Sequence, residues 1–216
     1  MNPYYLLVPV LLPMVTGAAV LGLRPKERRK REILVMGGIL AASAVIGALV
    51  LNRPGQPLVL YRFGSRMNIS LGLDGLSGVF ACLIAVLWPL TALYSFEYMK
   101  HEGKENKFFG YFSITYGVVA GVALSHSLIT LYFFYELMTL ATLPLVMHAM
   151  DTRAIYAGKK YLLLSMAGAA MVFVSIISLH EYGTNLDFTW GGVIPQGLSH
   201  VERRHLYGAF ILAFFG

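Results

Sequence analysis

Apolar residues run along this chain in blocks of about 20, separated by short polar stretches. That length matches a helix crossing a hydrocarbon core of about 30 Å. Six blocks come close to it: Tyr4–Leu23, Ile33–Leu51, Leu76–Phe96, Phe108–Leu124, Leu128–Met147 and Tyr161–Leu179. A seventh begins at Leu206 and runs for 11 residues, LYGAFILAFFG. The pattern predicts an all-α, polytopic transmembrane helix bundle of six full spans plus the start of a seventh, the front part of something longer. Residues 1–107 hold spans one to three, and residues 108–216 hold spans four to six and the start of the seventh. The first block lacks a positively charged leader region and is long enough to span, so it reads as a retained helix rather than a cleaved signal peptide.

Between the second and third blocks the pattern changes. VLYRFGSRMNISLGLD mixes β-branched and aromatic residues with partial alternation around Gly64-Ser65. This predicts a short β-hairpin at about 58–73 in an outer loop. Asp74, in DGLS, is placed to start the third helix as its N-cap. A direct part in ion movement is the alternative for it.

Composition supports the membrane reading. Of 216 residues, 57% are hydrophobic and only 13% charged, with a mean hydropathy of +0.65. Soluble domains carry about 25% charged residues, because their surfaces need them. The net charge of +6 sits in the turns between apolar blocks rather than along one face, which argues against nucleic acid as a partner. The loop RPKERRKRE holds six Lys/Arg, the stretches around Lys100–Lys107 and Asp151–Lys160 hold three each, and the remaining loops hold five. Positive charge marks cytoplasmic loops. The N-terminus is therefore expected outside, in a prokaryotic plasma membrane. One cysteine, Cys82, excludes an intrachain disulfide framework and a Cys-cluster metal site.

Of the eleven acidic residues, only Glu136 lies well inside a predicted span. An ionised side chain there costs at least ~2.5–3.5 kcal/mol, so such a residue faces the bundle interior or a water-filled cavity and marks an ion pathway. Tyr132 and Thr139 share its helical face and offer hydroxyls to bond the carboxyl or hold water beside it. Desolvation favours the neutral form and a nearby lysine the charged one; a carboxyl between the two can load and release a proton. The bland alternative is a neutral glutamic acid that only links helices. Pro144 is expected to kink the same helix. His126 and His148 lie at predicted membrane surfaces, where a lone histidine is polar cover or a proton entry point. Lys159 and Lys160 are expected to begin the sixth span and snorkel, with Lys160 also a candidate pathway residue. Gly117 and Gly121 make a small-xxx-small pattern in the fourth span. No phosphate loop, dinucleotide fingerprint, metal-ligand pair or nucleophile–base set is present, so no cofactor is expected.

Three stretches together with the outer hairpin resemble, in order, the antiporter-like subunits shared by respiratory complex I, Mrp-type sodium/proton antiporters and membrane-bound hydrogenases. They are DGLSGVFACLIAVLWPLTALYSFEYM, LITLYFFYELMTLATLPLV and AGKKYLLLSMAGAA. The resemblance implies that Glu136 matches the fifth-helix glutamate that loads a proton in the membrane plane. It also implies a partner lysine on a broken seventh helix and a histidine-containing WLP motif, both beyond Gly216. The fourth span would open the first of two inverted five-helix repeats. Where some relatives carry an acidic residue on the sixth helix, this chain has Gly168 and Ala169. The implied function is a proton-translocating subunit of a redox-driven pump of the complex I or hydrogenase type, with no redox active site of its own. An Mrp-type cation/proton antiporter subunit and a non-conducting scaffold are the alternatives. Expected partners are the lipid bilayer, other membrane subunits, and protons or Na+.

Overall fold

Seven helices and one hairpin follow each other in chain order in a computed structural model, which describes residues 2–64 and 66–216. After a short turn at Pro3–Leu7 come α1 (Val8–Leu23), α2 (Arg28–Leu51), β1 (Leu58–Phe63), β2 (Met67–Leu71) and α3 (Gly75–Tyr98). Then follow α4 (Glu105–Ala123), α5 (Leu128–Val146), α6 (Thr152–Tyr182) and α7 (His200–Phe215). Among the described residues, five helical stretches are long and apolar enough to cross a membrane: Pro3–Leu23, α2, α3, α5 and α6. The expected count of six is thus one higher than length and apolarity support. α4 is the helix that falls short. It has 19 residues but is interrupted by polar and small ones, because it is walled by protein rather than lipid. Phe109, Phe112, Ser113, Tyr116, Gly117 and Gly121 are all buried.

The expected hairpin is present. β1 and β2 pair antiparallel, Leu58 opposite Leu71 and Phe63 opposite Met67, with an irregularity between Val59 and Tyr61. Its tip at Ser65 lies outside the described residues. Three helix starts depart from expectation by five residues or more. α2 begins five residues early, so Arg28–Arg31 are helical rather than loop. α6 begins at Thr152, nine residues early, so the stretch 152–160 is helix and Lys159 and Lys160 lie two turns inside it. At 1.5 Å per residue the 31 residues of α6 reach about 46 Å, well beyond a hydrocarbon core. α7 begins six residues early, at His200. The α2 and α7 extensions are basic or polar first turns, and the longer α6 extension, TRAIYAGKK, is mixed, so a hydrophobic block registers none of them. The kink expected at Pro144 falls near the end of α5, which continues for only two residues past it.

Side-chain caps set several boundaries. Asp74 accepts the Ser77 backbone N–H at 2.7 Å, while Ser77 Oγ accepts the Asp74 N–H at 2.7 Å, a reciprocal capping box at the head of α3. This is the structural role expected for Asp74. The Ser77 backbone N–H is the main reason its carboxyl titrates below the ordinary range. A depressed folded-state value stabilises above the unfolded one and is lost as pH falls through the folded one. Asp74→Ala is therefore expected to cost about 1 kcal/mol at neutral pH and almost nothing in strong acid. Melting of the detergent-solubilised variant across pH checks this; an unchanged difference in acid would refute the cap.

The loops gather at two ends. At one, Asn106 Nδ2 donates to Pro25 O at 3.3 Å, Arg31 pairs with Glu105, and His148 Nε2 meets Gly103 O at 3.2 Å. At the other, Gly72 N donates to Leu124 O at 2.8 Å, Leu128 N to Leu186 O at 2.8 Å, and Asn68 Nδ2 to Asp187 Oδ1 at 2.9 Å. α4 runs between these ends like its neighbours. Its glycines seat it: a Cβ on Gly117 would overlap Val10 O of α1, and one on Gly121 would overlap the Phe134 ring of α5. The small-xxx-small pair thus serves two different partners. The main core joins α1 to α5 around Leu6, Ile39, Phe109 and Tyr116. A smaller cluster, Ile176, Leu179, Leu186 and Leu206, ties α6 to α7. The outward side of α3, including Leu83, Val86, Leu87 and Leu90, is exposed, as a lipid-facing surface should be.

Candidate functional site

Glu136 is the ninth of 19 residues in α5, so it sits halfway between the two ends. Its Oε1 is buried and has no hydrogen-bond partner among the described residues. Buried polar atoms are nearly always paired, which makes this oxygen one of few exceptions. Ser113 Oγ on α4 and Trp88 Nε1 on α3 are two others inside the bundle.

The α5–α6 packing defines what Glu136 faces. The Tyr132 ring stacks on Phe173 with centroids 5.3 Å apart. Thr142 Oγ1 and Tyr161 Oη lie 2.8 Å apart in a hydrogen bond. These contacts fix an antiparallel register, and interpolation between them puts Glu136 level with Gly168 and Ala169. Helical spacing places Glu136 on the same side of α5 as Tyr132 and Leu143; Leu143 also contacts α6, near Gly158. Gly168 and Gly216 press their backbones together, so that a Cβ at Gly168 would overlap Gly216 O. Ser175 Oγ donates to Ala209 O at 2.6 Å and holds the same two helices nearer the loop end. At this interpolated level the small Gly168 of α6 lets α7 approach α6 closely.

The remaining candidates are spread out. Tyr132 and Thr139 share the Glu136 face, but among the described residues neither hydroxyl hydrogen-bonds to the carboxyl. Tyr132 is engaged with Phe173, and Thr139 is buried. His126 lies ten residues before Glu136, about 15 Å along the axis, at the hairpin end. Its backbone N–H donates to Ser70 O at 3.0 Å and its carbonyl accepts from Phe188 N at 3.1 Å. Lys160 is exposed and eight residues from the Gly168 level, about 12 Å toward the opposite end. Both distances are too long for direct contact with the carboxyl. His148 packs edge-on against Phe108. Among the described residues no group of three metal-ligating side chains occurs.

Two polar pairs were not singled out from sequence. Thr142–Tyr161 sets the register beside Glu136. Ser43 Oγ and Tyr116 Oη lie 2.7 Å apart and join α2 to α4, with Trp88 stacked on the Tyr116 ring at 5.2 Å. A hydroxyl inside an apolar block was the available signal. Many such residues only bond their own helix, as Thr115 does to Tyr111 O, so the signal does not discriminate.

Comparisons with known proteins converge on one family. Residues 125–216 match the model described as NADH:quinone oxidoreductase/Mrp antiporter, TM. Residues 62–109 match NADH-Ubiquinone oxidoreductase (complex I), chain 5 N-terminus. A Na(+)/H(+) antiporter subunit A1 from Staphylococcus haemolyticus is 33% identical over 122 residues, 56% of this chain and 15% of that protein. A chain of respiratory complex I from Thermus thermophilus shares the fold, with a TM-score of 0.75 at 22% identity, covering 97% of this chain and 43% of the other. A chain of the Mrp complex from Dietzia does so with a TM-score of 0.77 at 14% identity, covering 97% and 23%. The chain thus spans under half the length of each of these relatives. A resident carboxyl in an apolar helix, the DGLS cap, the outer hairpin and these matches agree: the chain belongs to the antiporter-like membrane subunit family shared by NADH:quinone oxidoreductase (complex I) and Mrp antiporters.

Proposed function

We propose that this chain is part of a proton-translocating subunit in which Glu136 carries the proton. The supporting observation is its buried, unpartnered Oε1 halfway along α5. A carboxyl held there only to link helices would have both oxygens engaged. The close approach of α7 at Gly168 supports a partner group arriving along that helix, as the family resemblance implies for a lysine. α4, running between the same two ends as its neighbours, is the fourth of six full spans and opens the first inverted repeat. The basic end is cytoplasmic, which places the N-terminus outside.

Among the complexes that use such subunits, the Staphylococcus relative favours a cation/proton antiporter over a redox-driven pump. The test of the central reading is infrared titration of the protein in lipid. The stretching band of a protonated carboxyl should appear and vanish with pH, and Glu136→Gln should remove that titrating band. A Glu136 band present at every pH would mean a permanently neutral helix link instead.

A further inference from the structure

We propose that the cleft at the basic end of the bundle binds the phosphate diester headgroup of an anionic phospholipid. The cleft lies between the α1–α2 turn and the start of α4 and has a volume of about 710 Å³. Four basic side chains line it: Arg24, Arg31, Lys104 and Lys107. The one acid among its lining residues, Glu105, is already paired with Arg31. The wall therefore carries uncompensated positive charge.

Two further observations point to an anion. Lys104 precedes α4 without any side-chain cap, so no side chain answers the first N–H groups of that helix, the kind of start at which anions bind. The Arg31 side chain is only 7% exposed, and its Nε is buried without a partner among the described residues. Its two other nitrogens are engaged, one with Glu105 and one with Asn106 Oδ1 at 3.4 Å. A guanidinium withdrawn from water with a free donor is costly unless an acceptor completes it. An oxygen of a phosphate diester supplies that acceptor.

Position selects a lipid rather than a free ion. The cleft opens where α1 leaves its apolar stretch. Half-buried Leu21 and Tyr111 form its membrane-side rim, and Leu23, two residues from Leu21, is 75% exposed. A headgroup in the cleft would leave its acyl chains along the lipid-facing side of α1. Basic pockets between helices at the cytoplasmic side are chemically suited to such headgroups. The site is independent of Glu136 and of the transport reading.

The test is native mass spectrometry of the full chain in detergent with dioleoyl phosphatidylglycerol, dioleoyl phosphatidylcholine, glycerol 3-phosphate or inorganic phosphate. One phosphatidylglycerol should be retained in preference to phosphatidylcholine. Arg24→Gln with Lys107→Gln should weaken that retention about tenfold or more. Arg29→Gln with Arg153→Gln, exposed charges outside the cleft, should change it less than about threefold. Arg31→Lys keeps the charge but removes Nε and should also weaken binding; if it fails to fold, the Arg24/Lys107 pair decides. Equal losses in both double variants would reduce the effect to diffuse surface charge and overturn the proposal. So would equal retention of phosphatidylcholine. Displacement of the lipid by inorganic phosphate would overturn the lipid source.

Discussion

Glu136→Gln, introduced into the full-length subunit within its assembled complex, is expected to lower proton transport about a hundredfold while leaving assembly intact. The magnitude is that of removing a positioned proton-transfer group. Glutamine keeps the size and hydrogen-bonding capacity of the neutral acid but carries no exchangeable acidic proton. Whatever Glu136 does as a helix link survives the change; whatever it does as a carrier does not. Packing limits any compensation by neighbours. Tyr132 is stacked on Phe173, and His126 and Lys160 lie about 15 Å and about 12 Å away along the helix axes. Proton flux in membrane vesicles, read with a pH-sensitive dye beside immunodetection of the complex, separates the two roles. Normal flux would remove Glu136 from the pathway. Glu136→Leu should abolish flux as well, and a loss of assembly in it would point to the helix-link role instead.

The second large effect concerns stability. Gly117→Leu is expected to prevent stable folding, at about 3 kcal/mol or more, the upper end of overpacking costs. A Cβ there overlaps Val10 O, a backbone atom that no rotamer change moves, and lies 2.6 Å from Met14 Cγ. Gly17 makes the reciprocal approach from α1, with a Cβ meeting Gly110 O and Ile114. Two glycines from opposite helices thus bring α1 and α4 together, the close approach that small residues permit in membranes. Gly47→Leu is the control. It lies in α2 with nothing within 4 Å of its Cβ position, so it should fold as well as the parent. Yield of monodisperse protein and melting temperature in detergent check both. A well-folded Gly117→Leu protein would mean that α1 and α4 do not pack in this way.

The long apolar helices were legible because each must present about 20 apolar residues to lipid and satisfy its backbone internally. α4 shows the limit of that rule. Its polar and small residues face other helices, so it looks weakest by hydropathy while being the most enclosed. The early starts of α6 and α7 had local signals that outlie hydrophobicity. Asp151 caps the Ala154 N–H at 2.6 Å. SHVE at 199–202 forms a capping box between Ser199 and Glu202. Both pointed to helix starts that the apolar blocks hid.

The sequence by itself determined the helical class, the hairpin, and the single carboxyl inside an apolar span, because each follows from local pattern and the cost of burying charge. Only the tertiary structure decided which groups surround that carboxyl. Tyr132 meets Phe173 and Gly168 admits Gly216 near its level, while Asn68 meets Asp187 across 119 residues at the hairpin end. Such contacts depend on how helices rotate and slide against one another. That is set by shape matching summed over many weak contacts, which no periodicity in a single helix records. The unpaired Oε1 of Glu136 is a result of that packing: the composition put a carboxyl in an apolar helix, and the helix arrangement left its buried Oε1 without a partner.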